Sequence, residues 1–213
     1  MVTAPAAQPN ALRFSVDYPD RALERVSSFF RIFFAIPIVI VLVALSGSGW
    51  FSDSSDQWSI ILGGGTGVLF LAPLLLIVFR QKYPRWWFDF SVQLLRFEAR
   101  VLAYLLLLRD EYPSTDEEQS VHLEADYPDV RRDLNRWLPL VKWLLAIPHY
   151  IVLAFLIVGA VVCAIIGWFA ILFTGRYPRG LFKYIVGVMR WTYRVTAYTL
   201  LLNTDKYPPF ELE

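Results

Sequence analysis

The chain has 213 residues, of which 56% are hydrophobic, 16% aromatic and 18% charged, with a formal net charge of +1. A soluble domain is about 45–50% apolar and about 25% charged, so the apolar excess points to the bilayer. The balanced charge excludes a global basic signature for nucleic acid. Cys163 is the single cysteine, which excludes an intrachain disulfide and a Cys-based metal cluster; it reads as an apolar packing residue.

In chain order, residues 1–28 carry Arg13, Asp17, Asp20, Arg21, Glu24 and Arg25 without an apolar core, so they do not read as a secretory signal. Within them Leu12–Val16 partly alternates and adjoins Asp17-Tyr18-Pro19, which suggests a short strand. Phe29–Leu45 is apolar apart from Arg31, Ser46–Ser59 is a polar loop, and Ile60–Phe79 is apolar again. Runs of about 17–20 residues reach the lower edge of a membrane span, so a helical hairpin is expected over about 29–79. Its loop holds Asp53 and Asp56 and no Lys or Arg, whereas the flanks hold Arg21, Arg25, Arg31, Arg80, Lys82 and Arg85. The positive-inside rule then puts the flanks in the cytoplasm. Gly63-Gly64-Gly65-Thr66-Gly67 lacks the Gly-Lys-Ser/Thr ending of a phosphate loop and reads as a helix start or a close packing site.

After Tyr83-Pro84-Arg85 an amphipathic helix is expected over about 86–108. Asp89, Gln93, Arg96 and Arg100, spaced 4, 3 and 4 apart, fall within roughly a 60° arc. Asp110–Asp126 holds seven acidic residues and no Lys or Arg. It reads as a solvated linker with its core at 114–120, docking against the arginine stripes being the alternative. Val121–Ala125 suggests a second short strand, and Phe210–Glu213 a third. Trp137–Thr174 is apolar except for Lys142 and His149; about 38 residues would make a helix of about 57 Å. Either a turn near Gly159 makes two short helices, spanning or re-entrant, or one helix spans with its ends outside the hydrocarbon. The favoured reading is a hairpin over about 138–174. Pro37 and Pro148 are each expected to kink a helix. A second striped helix is expected over about 180–202, with Lys183, Gly187, Arg190 and Arg194 on its polar arc.

The two halves match in order. Asp17-Tyr18-Pro19, Ala35-Ile36-Pro37, Tyr83-Pro84-Arg85, Arg96-Phe97, Arg100-Val101, Ala103-Tyr104 and Tyr112-Pro113 recur as Asp126-Tyr127-Pro128, Ala146-Ile147-Pro148, Tyr177-Pro178-Arg179, Arg190-Trp191, Arg194-Val195, Ala197-Tyr198 and Tyr207-Pro208. The match from Tyr83 to Leu108 against Tyr177 to Leu202 needs no gap. Compositional similarity between membrane segments would not preserve Arg, Tyr and Pro positions, so two units are expected, 1–113 and 121–213. Both carry the same charge distribution, which favours parallel over inverted repeats.

The expected fold is therefore an all-α membrane protein of two parallel repeats. Each is a transmembrane hairpin followed by an amphipathic helix, with short cytoplasmic β-strands. An arginine at the bilayer centre costs about 2.5–3.5 kcal/mol, so the striped helices are expected to lie in the interface. Contact with lipid or a partner is expected of Arg96, Arg100, Arg190, Arg194, Lys183, Arg85, Arg179, Tyr104 and Tyr198. Snorkelling and lipid anchoring is one role for the arginines; binding of lipid phosphate or partner carboxylates is the sharper one.

Ala146-Ile147-Pro148-His149, Arg176-Tyr177-Pro178-Arg179, Arg190-Trp191, Arg194-Val195-Thr196-Ala197-Tyr198 and Tyr207-Pro208-Pro209-Phe210 resemble the bacterial membrane proteins grouped as domain-of-unknown-function family 4389. In the first half Ile38 stands where the His would be and Ser114 where Pro209 would be. The resemblance implies placement in a bacterial membrane and no activity. His122 and His149 are the only histidines, the first expected to be exposed and the second to be a hydrogen-bonded interfacial residue. No Ser-His-Asp order, paired-His zinc motif or dinucleotide fingerprint is present. The expectation is a non-catalytic, multi-pass protein of the bacterial inner membrane with cytoplasmic termini and no cofactor. Its expected partners are membrane lipids, anionic head groups among them, and a protein partner, with the chain an accessory or scaffold subunit. The alternative is a lipid-binding or lipid-translocating protein that uses the arginine stripes.

Overall fold

The computed structural model describes residues 11–19, 23–46, 65–115 and 117–213, apart from the side chains of 32, 46 and 65–70. They form a mostly helical protein with one two-stranded sheet. The polar loop at 46–59, with its Asp53 and Asp56, lies outside the described residues except for Ser46.

Strand β1 (Leu12–Val16) pairs antiparallel with β2 (Val121–Ala125), Phe14 facing Leu123 at the centre of the register. Two of the three expected strands are present. Phe210–Glu213 forms no strand but a tail. Alternation makes the sheet two-faced: Leu12, Phe14, Val16, Val121 and Leu123 are buried, while Arg13, Ser15, His122 and Glu124 are exposed. Arg13 bridges Glu124 at 3.4 Å and Asp126 at 3.2 Å on that outer face.

Helices α1 (Arg25–Ser46) and α2 (Gly65–Arg80) correspond to the two arms of the first expected hairpin. Of the glycine run, Gly63 and Gly64 lie outside the described residues, while Gly65 and Gly67 lie within α2. The striped helix α3 (Arg85–Leu105) starts at Pro84, whose extended backbone and lack of an N–H suit a helix boundary. A single turn, α4 (Val130–Asp133), is capped by the Asp129 carboxylate accepting from the Arg131 amide at 3.2 Å.

Where a second hairpin was expected, the structure has a short α5 (Pro139–Leu145) and then one unbroken helix, α6 (Ile147–Thr174), of 28 residues. At 1.5 Å per residue α6 is about 42 Å long. Among the described residues it is the one continuous helix long and apolar enough to cross a membrane; only 22% of its apolar window is buried. Gly159 makes no turn. A Cβ there would lie 2.5 Å from the Tyr184 hydroxyl, and one on Gly167 2.4 Å from the Tyr177 ring. These glycines are notches for Tyr184 of the next helix and for Tyr177, just before it. A tight turn inside an apolar layer would also strand backbone donors and acceptors that a continuous helix satisfies. The break falls instead at Ala146, just before Pro148, and the helix ends where Gly175 takes the left-handed conformation, φ 71°.

The second striped helix, α7 (Arg179–Thr196), begins after Pro178 and runs into a π-helical turn at Ala197–Leu201. A π turn accommodates one extra residue. Tyr198 and Tyr207 are 9 positions apart whereas Tyr104 and Tyr112 are 8, so the turn absorbs the difference. Both striped helices close on a left-handed leucine, Leu107 (φ 63°) and Leu202 (φ 54°). The gap-free match therefore stops short of the leucine that ends each helix.

The elements stack in layers. On α7, Phe182 packs edge-on against Tyr18 with ring centroids 5.1 Å apart, and Tyr193 against Phe14 at 5.0 Å. From the same helix the Tyr184 hydroxyl donates to the Leu156 carbonyl of α6 at 3.1 Å. The Trp191 indole likewise donates to His149 Nδ1 at 3.1 Å. At 100° per residue these two sets lie on opposite sides of the helix, roughly 180° apart. α7 is thus sandwiched between the sheet and α6. α3 is placed alike: Phe88 meets Tyr127 beside β2, and Phe97, Val101 and Tyr104 pack with Ala35 and Ile38 of α1.

Candidate functional site

The arginine stripes flank the sheet-facing side of each helix. Arg96 Nε donates to the Leu123 carbonyl of β2 at 2.7 Å, and Arg190 Nε to the Phe14 carbonyl of β1 at 3.1 Å. Phe14 and Leu123 face each other in the sheet. Each arginine therefore holds the strand belonging to the other half of the chain. One turn on, Arg100 donates to the Ser114 carbonyl at 2.7 Å. Arg194 donates to the Glu211 and Glu213 carbonyls, and Arg190 Nη1 to the Leu212 carbonyl at 3.2 Å. Gly187 lets the tail cross the stripe, since a Cβ there would stand 2.9 Å from both the Leu212 carbonyl oxygen and its Cβ. Burial together with the neighbouring Arg190 presses the Arg194 pKa down, and Glu211 works the other way.

The acidic segment is tied to the fold at several points, while Thr115, Glu117 and Glu118 in its core stay exposed. Arg96 and Arg100 take its backbone carbonyls, and Arg109 bridges Glu111 at 2.8 Å while also donating to the Ser120 hydroxyl. The docking alternative takes a modified form here, with Arg96 and Arg100 donating to backbone carbonyls of the segment. Backbone dipoles present an acceptor at every residue, a partner that charge counting does not reveal.

Two ion pairs sit below this layer. Arg31 of α1 pairs with Asp110, the two side chains 3% and 8% exposed, and its guanidinium stands 4.5 Å from the Tyr104 ring centroid. Lys142 of α5 pairs with Asp205 at 2.7 Å and stands 5.0 Å from the Tyr198 ring centroid. Arg31 also donates to the Arg109 carbonyl at 2.7 Å, as Lys142 does to that of Thr204 at 2.7 Å. Removing one partner of a buried pair costs about 3–5 kcal/mol, because the other charge is left unpaired. Tyr104 and Tyr198, both buried, thus serve as faces for these cations.

The tyrosines of the two Asp-Tyr-Pro elements cross between halves. The Tyr18 hydroxyl donates to the Tyr177 carbonyl and the Tyr127 hydroxyl to the Tyr83 carbonyl. Arg179 stands 5.2 Å from the Tyr18 ring centroid and Arg85 5.7 Å from that of Tyr127. Lys183 is exposed and lines, with Arg179 and Arg190, an open cleft of about 750 Å³ between α7, Tyr18 and Leu212. Asp89 occupies the position in α3 that matches Lys183.

His149 accepts from Trp191 and stacks on Phe210 at 4.0 Å, the hydrogen-bonded role expected of it. Exposed His122 faces Asp17 at 3.2 Å. Among the described residues no group of three or more His, Cys, Asp or Glu could hold a metal ion. Sequence reading missed the Arg31–Asp110 and Lys142–Asp205 pairs. Their signal was available: Arg31 and Lys142 each lie four residues before the Ala-Ile-Pro element, and Asp110 and Asp205 two before the second Tyr-Pro.

A family model described as Domain of unknown function (DUF4389) matches residues 137–211. That segment contains α5, α6, α7 and most of the tail. No curated protein and no solved structure matches the chain.

Proposed function

We propose that the chain is a duplicated, membrane-embedded accessory or scaffold protein of the bacterial inner membrane, without catalytic activity, whose two units share one sheet on the cytoplasmic side. The observation that carries this reading is the occupation of the stripe. Arg96, Arg100, Arg190 and Arg194 donate to carbonyls of their own chain, so the most distinctive cations of the sequence act within the fold. The reading of duplication is supported by contacts that recur at matched positions: the two cation–carboxylate–tyrosine groups, the two crossed tyrosines and the two strand-holding arginines. Membrane embedding is supported by exposed apolar side chains along α6, such as Phe155 at 76% and Phe173 at 78%. The full multi-pass count proposed from sequence is reduced, because α6 replaces two spans by one helix.

A second reading is favoured by the cleft beside Lys183 and Arg179, whose cations could receive an anionic head group. One preparation separates the two. Isolated in mild detergent, the accessory protein brings a membrane protein with it in fixed stoichiometry and leaves fluorescent lipid unmoved when reconstituted alone. Lipid movement by the pure protein that disappears in Lys183→Ala would favour the second reading and overturn the first.

A further inference from the structure

We infer that α6 lies along one leaflet, with acyl chains against its outer side, and does not cross the bilayer; this rests on the membrane embedding proposed above. α6 runs beside α7 and the turn that precedes it for most of its length, from His149 against Trp191, through Leu156 against Tyr184, to Gly167 against Tyr177 in that turn. Strand β1 accompanies the opposite side of α7 over the same stretch. Tyr18 meets Phe182 near the start of α7, and the Ala11 carbonyl accepts from Asn203 beyond its end. A crossing α6 would therefore carry the sheet through the hydrocarbon beside it. The outer face of that sheet bears Arg13, Glu124, His122 and Asp17, with side chains 44%, 64%, 52% and 63% exposed. Each charge held near the bilayer centre would cost about 2.5–3.5 kcal/mol, and no lipid group there could pair with it.

Turning the stack flat removes the conflict. The sheet then faces water, the striped helices lie at head-group level, and α6 with α1 faces the acyl chains. Phe33, Ile40, Phe155 and Val158 are 62–76% exposed, and these four outward side chains offer a protein partner no hydrogen-bonding group. Its border suits anionic lipid: exposed Trp86 follows Arg85, and exposed Trp137 follows Arg136, the pairing of aromatic and cation found at membrane interfaces. A helix with an apolar outer side and polar elements stacked on the other fits an interfacial, one-leaflet protein.

The test uses single cysteines in the full chain carrying Cys163→Ser. Tyr150→Cys, Val158→Cys and Phe173→Cys all replace exposed residues of α6. Each is labelled with a polarity-sensitive fluorophore in vesicles of phosphatidylcholine and phosphatidylglycerol, and quenched by lipids brominated at shallow or deep positions. The flat helix gives the same deep-to-shallow quenching ratio at all three, and Arg132→Cys and Arg176→Cys react with an impermeant maleimide from the same side. A ratio that peaks at Val158, with 132 and 176 on opposite sides, is the crossing helix and overturns the inference. Vesicle-bound protein with no quenching at any site has that face covered by protein, which overturns the lipid occupant. Protein that fails to float with vesicles overturns the membrane embedding itself.

Discussion

A guanidinium beside a backbone carbonyl is satisfied without any acidic partner. That is why the stripe was legible as a pattern in the sequence and its use was not. The 4, 3, 4 spacing identified Arg96 and Arg100 as sharing an arc, but their acceptors are Leu123 and Ser114, chosen by chain path rather than residue type. A hydrogen bond to a charged group contributes about 1.5–3 kcal/mol. Arg190 makes such bonds to both Phe14 and Leu212, so Arg190→Ala is expected to lower stability by about 2–4 kcal/mol in denaturant titrations in detergent. Loss of less than about 0.5 kcal/mol would mean that the strand is held without it. Glu111 provides a pH signature. Burial acts to raise its pKa, but the Ser120 hydroxyl and amide and the Arg109 guanidinium outweigh it and hold the group below its ordinary 4.5. A depressed folded value means that its stabilisation is present above about pH 4.5 and is lost as pH falls through the folded pKa. Thermal melts should show this acid loss, and Glu111→Gln should flatten it; an unchanged slope would place the acid sensitivity elsewhere.

At the scale of elements, hydrophobic periodicity served well where a helix has two faces. α3 and α7 appear within a few residues of where their stripes placed them, and both strands have the expected bounds. It failed where every face is apolar. The run through α6 has no polar loop to mark a turn, and the glycine that suggested one sits under Tyr184. The spacing of the halves carried the needed information: the Ala-Ile-Pro elements are 111 positions apart and the Tyr-Pro-Arg elements 94, so the first half holds 17 more residues between them. Residues 47–64 lie outside the described structure; in the second half the stretch between the two elements holds the continuous α6. Gly159→Val would force a side chain onto the Tyr184 hydroxyl, and overpacking of this kind costs about 1–3 kcal/mol. The melting temperature should fall, and Tyr184→Phe, which removes the clashing oxygen, should restore part of it. A Gly159→Val protein as stable as the parent would imply that α6 does not pack there.

For the whole molecule, the two halves are joined by exchange: each striped helix holds the other half's strand, and the Asp-Tyr-Pro tyrosines Tyr18 and Tyr127 donate to Tyr177 and Tyr83 of the other half. The ordered motifs that suggest duplication are readable in the sequence, but the exchange is not, because pairing between β1 and β2 spans more than a hundred residues and leaves no local mark. The shared sheet is the joint on which the proposed scaffold depends. Ser15 and His122 face each other in its register and both are exposed. Opposed residues of an antiparallel pair have Cα atoms about 4.5–5.5 Å apart, within reach of a disulfide. The most direct measurement is mild oxidation of purified Ser15→Cys/His122→Cys protein carrying Cys163→Ser, with Ser15→Cys/Glu124→Cys as the out-of-register control. Near-complete intramolecular cross-linking of the first pair, well above the control, is the predicted result. Equal or negligible cross-linking in both would contradict the shared sheet.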